Sequence, residues 1–89
     1  MIKSFASAIV PLFRPADISC MSRMGVALDA YAYMCAPAGS DIFPDHANAR
    51  NVFARLTGAL VPQMPKGGPF WPAEQIELFQ QWMDDGFAP

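Results

Sequence analysis

Few residues in this chain can hold a metal or attack a substrate. They are the thiols of Cys20 and Cys35, the imidazole of the lone histidine His46, and the thioethers, among which Met64 has the most unusual neighbours. Thiolates with an imidazole suit zinc, but the separations of Cys20, Cys35 and His46 match no common zinc spacing, and an Asp would have to complete the set. A nucleophilic Cys20 needs an adjacent base, and nothing in the sequence brings His46 to it. The cysteines can pair, closing a loop worth roughly 3 kcal/mol by chain entropy. The reading taken is two buried thiols in a reducing compartment. No catalytic constellation emerges.

Met64 lies in "QMPKGGPFWP", where three prolines, two adjacent glycines and two large aromatics precede a helical run. A thioether is a soft ligand; the alternative is a core-filling side chain set in place by Pro65. Gly67-Gly68 fails as a phosphate cradle, because Lys66 precedes the glycines and Pro69 removes an amide donor. It reads as a turn. Phe70 and Trp71 are candidate interface anchors, since aromatics carry much of the binding energy at protein contacts; Trp71 can instead fold back over the core.

The elements that must position these residues are helical. Ile2 to Val10 forms a first helix, ended by Pro11. Pro15 to Met24 forms a second, with Pro15 at a favoured first position, Gly25 as the cap, and Ile18, Met21 and Met24 facing inward. A short helix is expected around Leu28 to Met34, followed by loop through Pro37, Gly39 and Pro44. In "DHANARNVFARLTG", Ala49, Val52, Phe53 and Leu56 keep the spacing of one buried face. Asp45 caps its start, His46 is a surface or capping residue, Gly58 ends it, and Arg50 and Arg55 face water. The last helix starts at Pro72 and ends at Gly86; Ile76, Phe79 and Met83 form its apolar row, widened by Leu78 and Trp82. Asp84 and Asp85 sit at the unfavourable end of that helix's dipole; they read as a solvated face, the alternative being a facing cation such as Arg14 or Lys3. No run alternates like a strand. The expected class is all-α: one domain over residues 1–89, with three to five short helices and long ordered loops.

Composition narrows the function. Net charge is −2 and no basic stripe exists, so a nucleic-acid partner is not expected. No run approaches the roughly 18 apolar residues of a membrane helix. The N-terminal "MIKSFASAIVPLF" is expected to be structural, its apolar stretch being short for a signal peptide and broken by Pro11. The expected location is the cytoplasm, with the periplasm as the alternative. Apolar residues make up 53% against 16% charged, high for a small chain that must keep a wet surface. That balance favours a buried cofactor or a partner surface.

The C-terminal run "GALVPQMPKGGPFWPAEQIELFQQWMDDGFAP" resembles the end of small class I c-type cytochromes. In that family a Met-Pro loop supplies the distal haem ligand and a proline- or serine-started helix crosses the N-terminal one. Met64 stands at the ligand position, and Ile76, Phe79, Trp82, Asp84 and Gly86 fit the final helix. The front half departs from the family. Covalent haem needs C-x-x-C-H, whereas "CMSRM" offers Cys20, then Arg23 in place of the second cysteine and Met24 in place of the histidine. No C-x-x-C or C-H occurs elsewhere. Taken from "IVPLFRPADISCM" through "ALD" to the Met-Pro and Trp-Pro ending, residues 9–89 are similar to haem-less cytochrome c-like domains.

The resemblance implies a haem-free, non-catalytic domain acting as a small accessory or interaction subunit of a larger enzyme, an oxidoreductase among the choices, or assembling with itself. No cofactor or metal is expected. The contact residues expected are Phe70, Trp71 and Met64. The alternative is an electron-transfer protein with a non-covalent haem held by Met64 and Met24. Without haem, Met21, Met24, Met34, Phe53 and Trp71 are expected to occupy its volume, flexible Met side chains being good gap-fillers.

Overall fold

The computed structural model describes residues 4–61, 63, 64 and 69–89. Among these the chain is helical and carries no strand. A π-helical turn at Phe5–Ile9 runs into a 3-10 turn at Val10–Leu12, followed by α1 (Pro15–Ser22), α2 (Tyr31–Met34), α3 (Ala47–Thr57) and α4 (Ala73–Asp84). The expected all-α class holds. Membrane insertion through a helix has no support, since no helix among the described residues is long and apolar enough to cross a bilayer.

The first element differs from a plain α-helix because its ends impose other patterns. The Ser4 hydroxyl accepts from the Ser7 N–H, and the Val10 N–H reaches back to the Phe5 carbonyl, the longer step of a π-turn. Pro11 then starts the 3-10 turn instead of ending the element, because a missing N–H costs nothing in a first turn. Phe5 and Ile9 point into the core, at 2% and 0% exposure.

The glycine stops fall where the sequence puts them. Gly25, at φ 79°, closes α1, with the Val26 N–H on the Met21 carbonyl. Gly58, at φ 88°, closes α3, and a Cβ there would also lie 3.1 Å from the Gln63 amide oxygen. Both sites need the left-handed backbone that glycine adopts freely. On α4, Phe79, Trp82 and Met83 are buried, and Ile76 and Leu78 pack against them. On α3, Ala49, Val52, Ala54 and Leu56 are buried, while Phe53 is half-buried and stacks on Phe79, ring centroids 5.6 Å apart.

One capping expectation is corrected. Asp45 does not cap α3: its carboxylate bonds the His46 ring at 2.7 Å and the Arg50 guanidinium at 3.0 Å. His46 occupies the cap position itself, in left-handed backbone, with no capping bond from its side chain. Asp84 and Asp85 are exposed, as a solvated face would be, and no ion pair to them is seen among the described residues. Gln80 and Gln81 donate to them one turn away, and Arg14 is taken by a two-bond pair with Asp17. Lys3 lies outside the described residues.

The C-terminal tail locks the domain. The Phe5 N–H and the Trp82 indole N–H both donate to the Ala88 carbonyl, at 2.9 and 2.8 Å, and the Tyr31 hydroxyl donates to the Phe87 carbonyl at 2.6 Å. Burial pushes the Tyr31 phenol above its usual range, helped by the neighbouring Cys35 thiol, so it remains a neutral donor. The Phe87 ring lies flat on the His46 ring, 3.9 Å apart and 6° from parallel, with the Arg50 guanidinium over it.

This latch sets an acid sensitivity. The bond to His46, then the one to Arg50, hold the Asp45 carboxyl below the ordinary 3.8. A lowered folded value means its stabilisation is complete above the ordinary value and disappears as pH falls through the folded one. Asp45→Asn is therefore expected to be less stable than the parent at about pH 6, with the difference shrinking as pH falls below the ordinary carboxylate value. A series of urea melts at descending pH checks this; a difference that does not shrink contradicts it.

Candidate functional site

Two concave features carry the residues of interest. The larger is a groove of about 500 Å³ between the end of α1 and one side of α3. Its sulfur-bearing lining is Cys20, Met21, Met24 and Met64, joined by Val26 and Val52. The polar edge is formed by Tyr33, Asn48, Asn51, Arg55 and Gln63. Cys20 and Met24 are solvent-exposed, Met24 at 70%, whereas Met64 is 5% exposed. The Met64 N–H donates to the Arg55 carbonyl at 2.9 Å, which fixes the backbone there.

The polar edge is largely engaged within the protein. Asn48 donates to the Tyr33 carbonyl, Arg55 to the Asn51 side chain and Gln63 to the Leu56 carbonyl. Arg50 and Arg55, expected in water, are both half-buried; the groove and the Asp45 cluster draw them in. Burial raises the Tyr33 phenol, so this wall presents a neutral hydroxyl.

The smaller feature is a cleft of about 190 Å³ lined by Leu12, Arg14, Pro69, Phe70, Trp71, Pro72 and Gln75. Phe70 is 54% exposed. Trp71 turns inward, its ring 5.2 Å from Phe13 and 6.3 Å from Phe79. So Phe70 and Trp71 share a surface, with Trp71 as its anchor in the core. Met64 does not join them: it lines the groove. Residues 65–68, with the Gly67-Gly68 turn, lie outside the described residues.

Of the five residues expected to fill a haem's volume, Met21 and Met24 line the groove. Met34 is fully buried in the core, and Phe53 and Trp71 are spent on the Phe79 cluster. Both cysteines are free, and Cys20 is exposed where a buried thiol was expected. His46 is not among the groove's lining and is committed to Asp45 and Phe87. Among the described residues no cluster of His, Cys, Asp and Glu suits a metal. The expectations for Met24 and Met64 do not include that Cys20 and Met21 share their groove. The i, i+4 spacing of Cys20 and Met24 was the available signal.

Compared with protein-family models, curated proteins and solved structures, the chain matches none.

Proposed function

We propose that this chain is a haem-free, cytochrome c-like helical domain that serves as a non-catalytic accessory subunit of a larger enzyme, with an oxidoreductase as the class the resemblance implies. The carrying observation is the Phe70–Trp71 surface. Phe70 stands half out of the protein beside an apolar cleft, and its neighbour Trp71 is rooted against Phe13 and Phe79. A rigidly based aromatic next to a concavity has the features of an interface anchor, because little side-chain freedom is lost on binding.

The donors on the groove do not fit covalent haem. The lining holds one thiol and no imidazole among the described residues, and thioether attachment with a proximal histidine needs two thiols and one imidazole. A second reading, non-covalent haem between thioethers, is favoured by one observation: Met24 and Met64 line the same groove. Titration of the purified chain with haemin separates the two readings. The accessory-domain reading expects no saturable Soret shift; a shift saturating at one haem per chain, lost in Met64→Leu, supports the second.

For the accessory role, Phe70→Ala is the clean variant, since Phe70 makes no ring contact within the core, whereas Trp71→Ala also removes core packing. Phe70→Ala is expected to weaken the complex with the partner by about 1 kcal/mol or more, about fivefold in Kd. Unchanged affinity moves the interface elsewhere.

A further inference from the structure

We infer that the groove lined by Cys20, Met21, Met24 and Met64 is a binding site for one soft monovalent metal ion, Cu(I). This goes beyond the accessory role and does not depend on it.

The α1 segment leaves an exposure that packing does not explain. The α1 helix buries no residue fully, and Met24, in the turn that closes it, leaves 70% of its surface in water. Ile18 and Met21 of the same segment do pack on the core, so packing accounts for those two and not for Cys20 or Met24. Both exposed residues border the groove, and Met64, from a distant part of the chain, lines it too. Thiol and thioether donors from two separate segments thus border one cavity.

The donor chemistry selects the ion. Thioether-rich sulfur sets favour Cu(I), whereas zinc completes a tetrahedron from several thiolates, imidazoles or carboxylates, of which this lining offers one thiol. Among the described lining residues there is no carboxylate and no imidazole, and the Arg55 guanidinium stands on the wall. Cu(I) with the single Cys20 thiolate is neutral, so the site needs no other anion. Met64 is the most constrained donor, its side chain 5% exposed and its main chain bonded to the Arg55 carbonyl. Cys20 and Met24 are the adjustable ones, the latter with the rotational freedom of an unbranched thioether.

The test uses the full chain, reduced and without oxygen, titrated with Cu(I) against the coloured chelator bathocuproine disulfonate. The chain is expected to withdraw about one equivalent, and Cys35→Ser to behave as the parent. Cys20→Ser and Met24→Leu are each expected to weaken binding at least about tenfold, as loss of a soft ligand should. Both positions are exposed, so their substitution leaves the fold intact, which a circular dichroism melt verifies. Failure of the parent chain to compete overturns the inference. So does Met24→Leu with parental affinity, which would leave an isolated thiol as the binder, or displacement of Cu(I) by equimolar Zn(II). Loss of partner binding in Phe70→Ala bears on the accessory role alone and leaves this result untouched.

Discussion

Trp82→Ala is expected to cost about 3–5 kcal/mol, the usual range for removing a buried indole, and to leave the chain partly or wholly unfolded at room temperature. Trp82 is 0% exposed and makes ring contacts with Phe5, Phe79 and Phe87, at centroid distances of 5.4, 5.5 and 5.1 Å. It is where the N-terminal turn, α4 and the C-terminal tail meet. Its indole N–H also ties down the Ala88 carbonyl, which the Phe5 N–H shares. Alanine would open a large void and remove one of the two donors to that carbonyl. A chain of this length has a total stability of roughly 4–13 kcal/mol, so the loss is a large part of the whole. Trp82→Phe keeps most of the ring volume and loses the hydrogen bond, and is expected to fall between the parent and Trp82→Ala. Urea unfolding followed by circular dichroism measures both. A Trp82→Ala midpoint close to the parent's would show that the core is not organised around this residue.

The second large effect is at Met64, where two roles can be separated. As a buried side chain it is expected to cost about 2–5 kcal/mol on replacement by alanine. Leucine nearly conserves volume and is expected to cost less than about 1.5 kcal/mol. The same leucine has no sulfur, so Met64→Leu should keep the fold and lose the soft-metal affinity. The pair of variants therefore distinguishes a side chain that only fills space from one that also coordinates. Equal stability of Met64→Ala and the parent would contradict the packing role. Stability lost equally with leucine and alanine would show that shape at this site matters more than volume.

Much of the fold was legible because helix stops are local chemistry. Gly25, Gly58 and Gly86 end their helices in left-handed backbone, as glycine's freedom predicts. The apolar row Ile76, Phe79 and Met83, widened by Leu78 and Trp82, marks the inner face of α4, on which Phe79, Trp82 and Met83 are buried. What escaped was decided by contacts distant in sequence. Asp45 is a good capping residue by type, yet Arg50 and His46 compete for its carboxylate, and His46 is itself held by Phe87 from the far end of the chain. The π-turn at Phe5–Ile9 is fixed partly by the bonds of Ser4 and Phe5 to the C-terminal tail. A propensity scale carries no trace of those partners.

The candidate site was legible only in pieces. The chemical distinctiveness of Met64, Phe70 and Trp71 was plain from residue type. Their division between a groove and a cleft was not, because it depends on which way the chain turns around residues 64–71. Likewise Phe53 and Trp71 both pack on Phe79 in the core, a shared partner that their own local spacing does not reveal.

The central claim is that this chain works as a partner-bound, haem-free domain anchored through Phe70. The most direct measurement is native mass spectrometry of the tagged chain purified from its source, with the absorption spectrum of the same sample. The account predicts a colourless complex of fixed stoichiometry with a larger protein, depleted when the tagged chain carries Phe70→Ala. A chain recovered alone as a monomer, a complex indifferent to Phe70→Ala, or a Soret band with one iron per chain would contradict it.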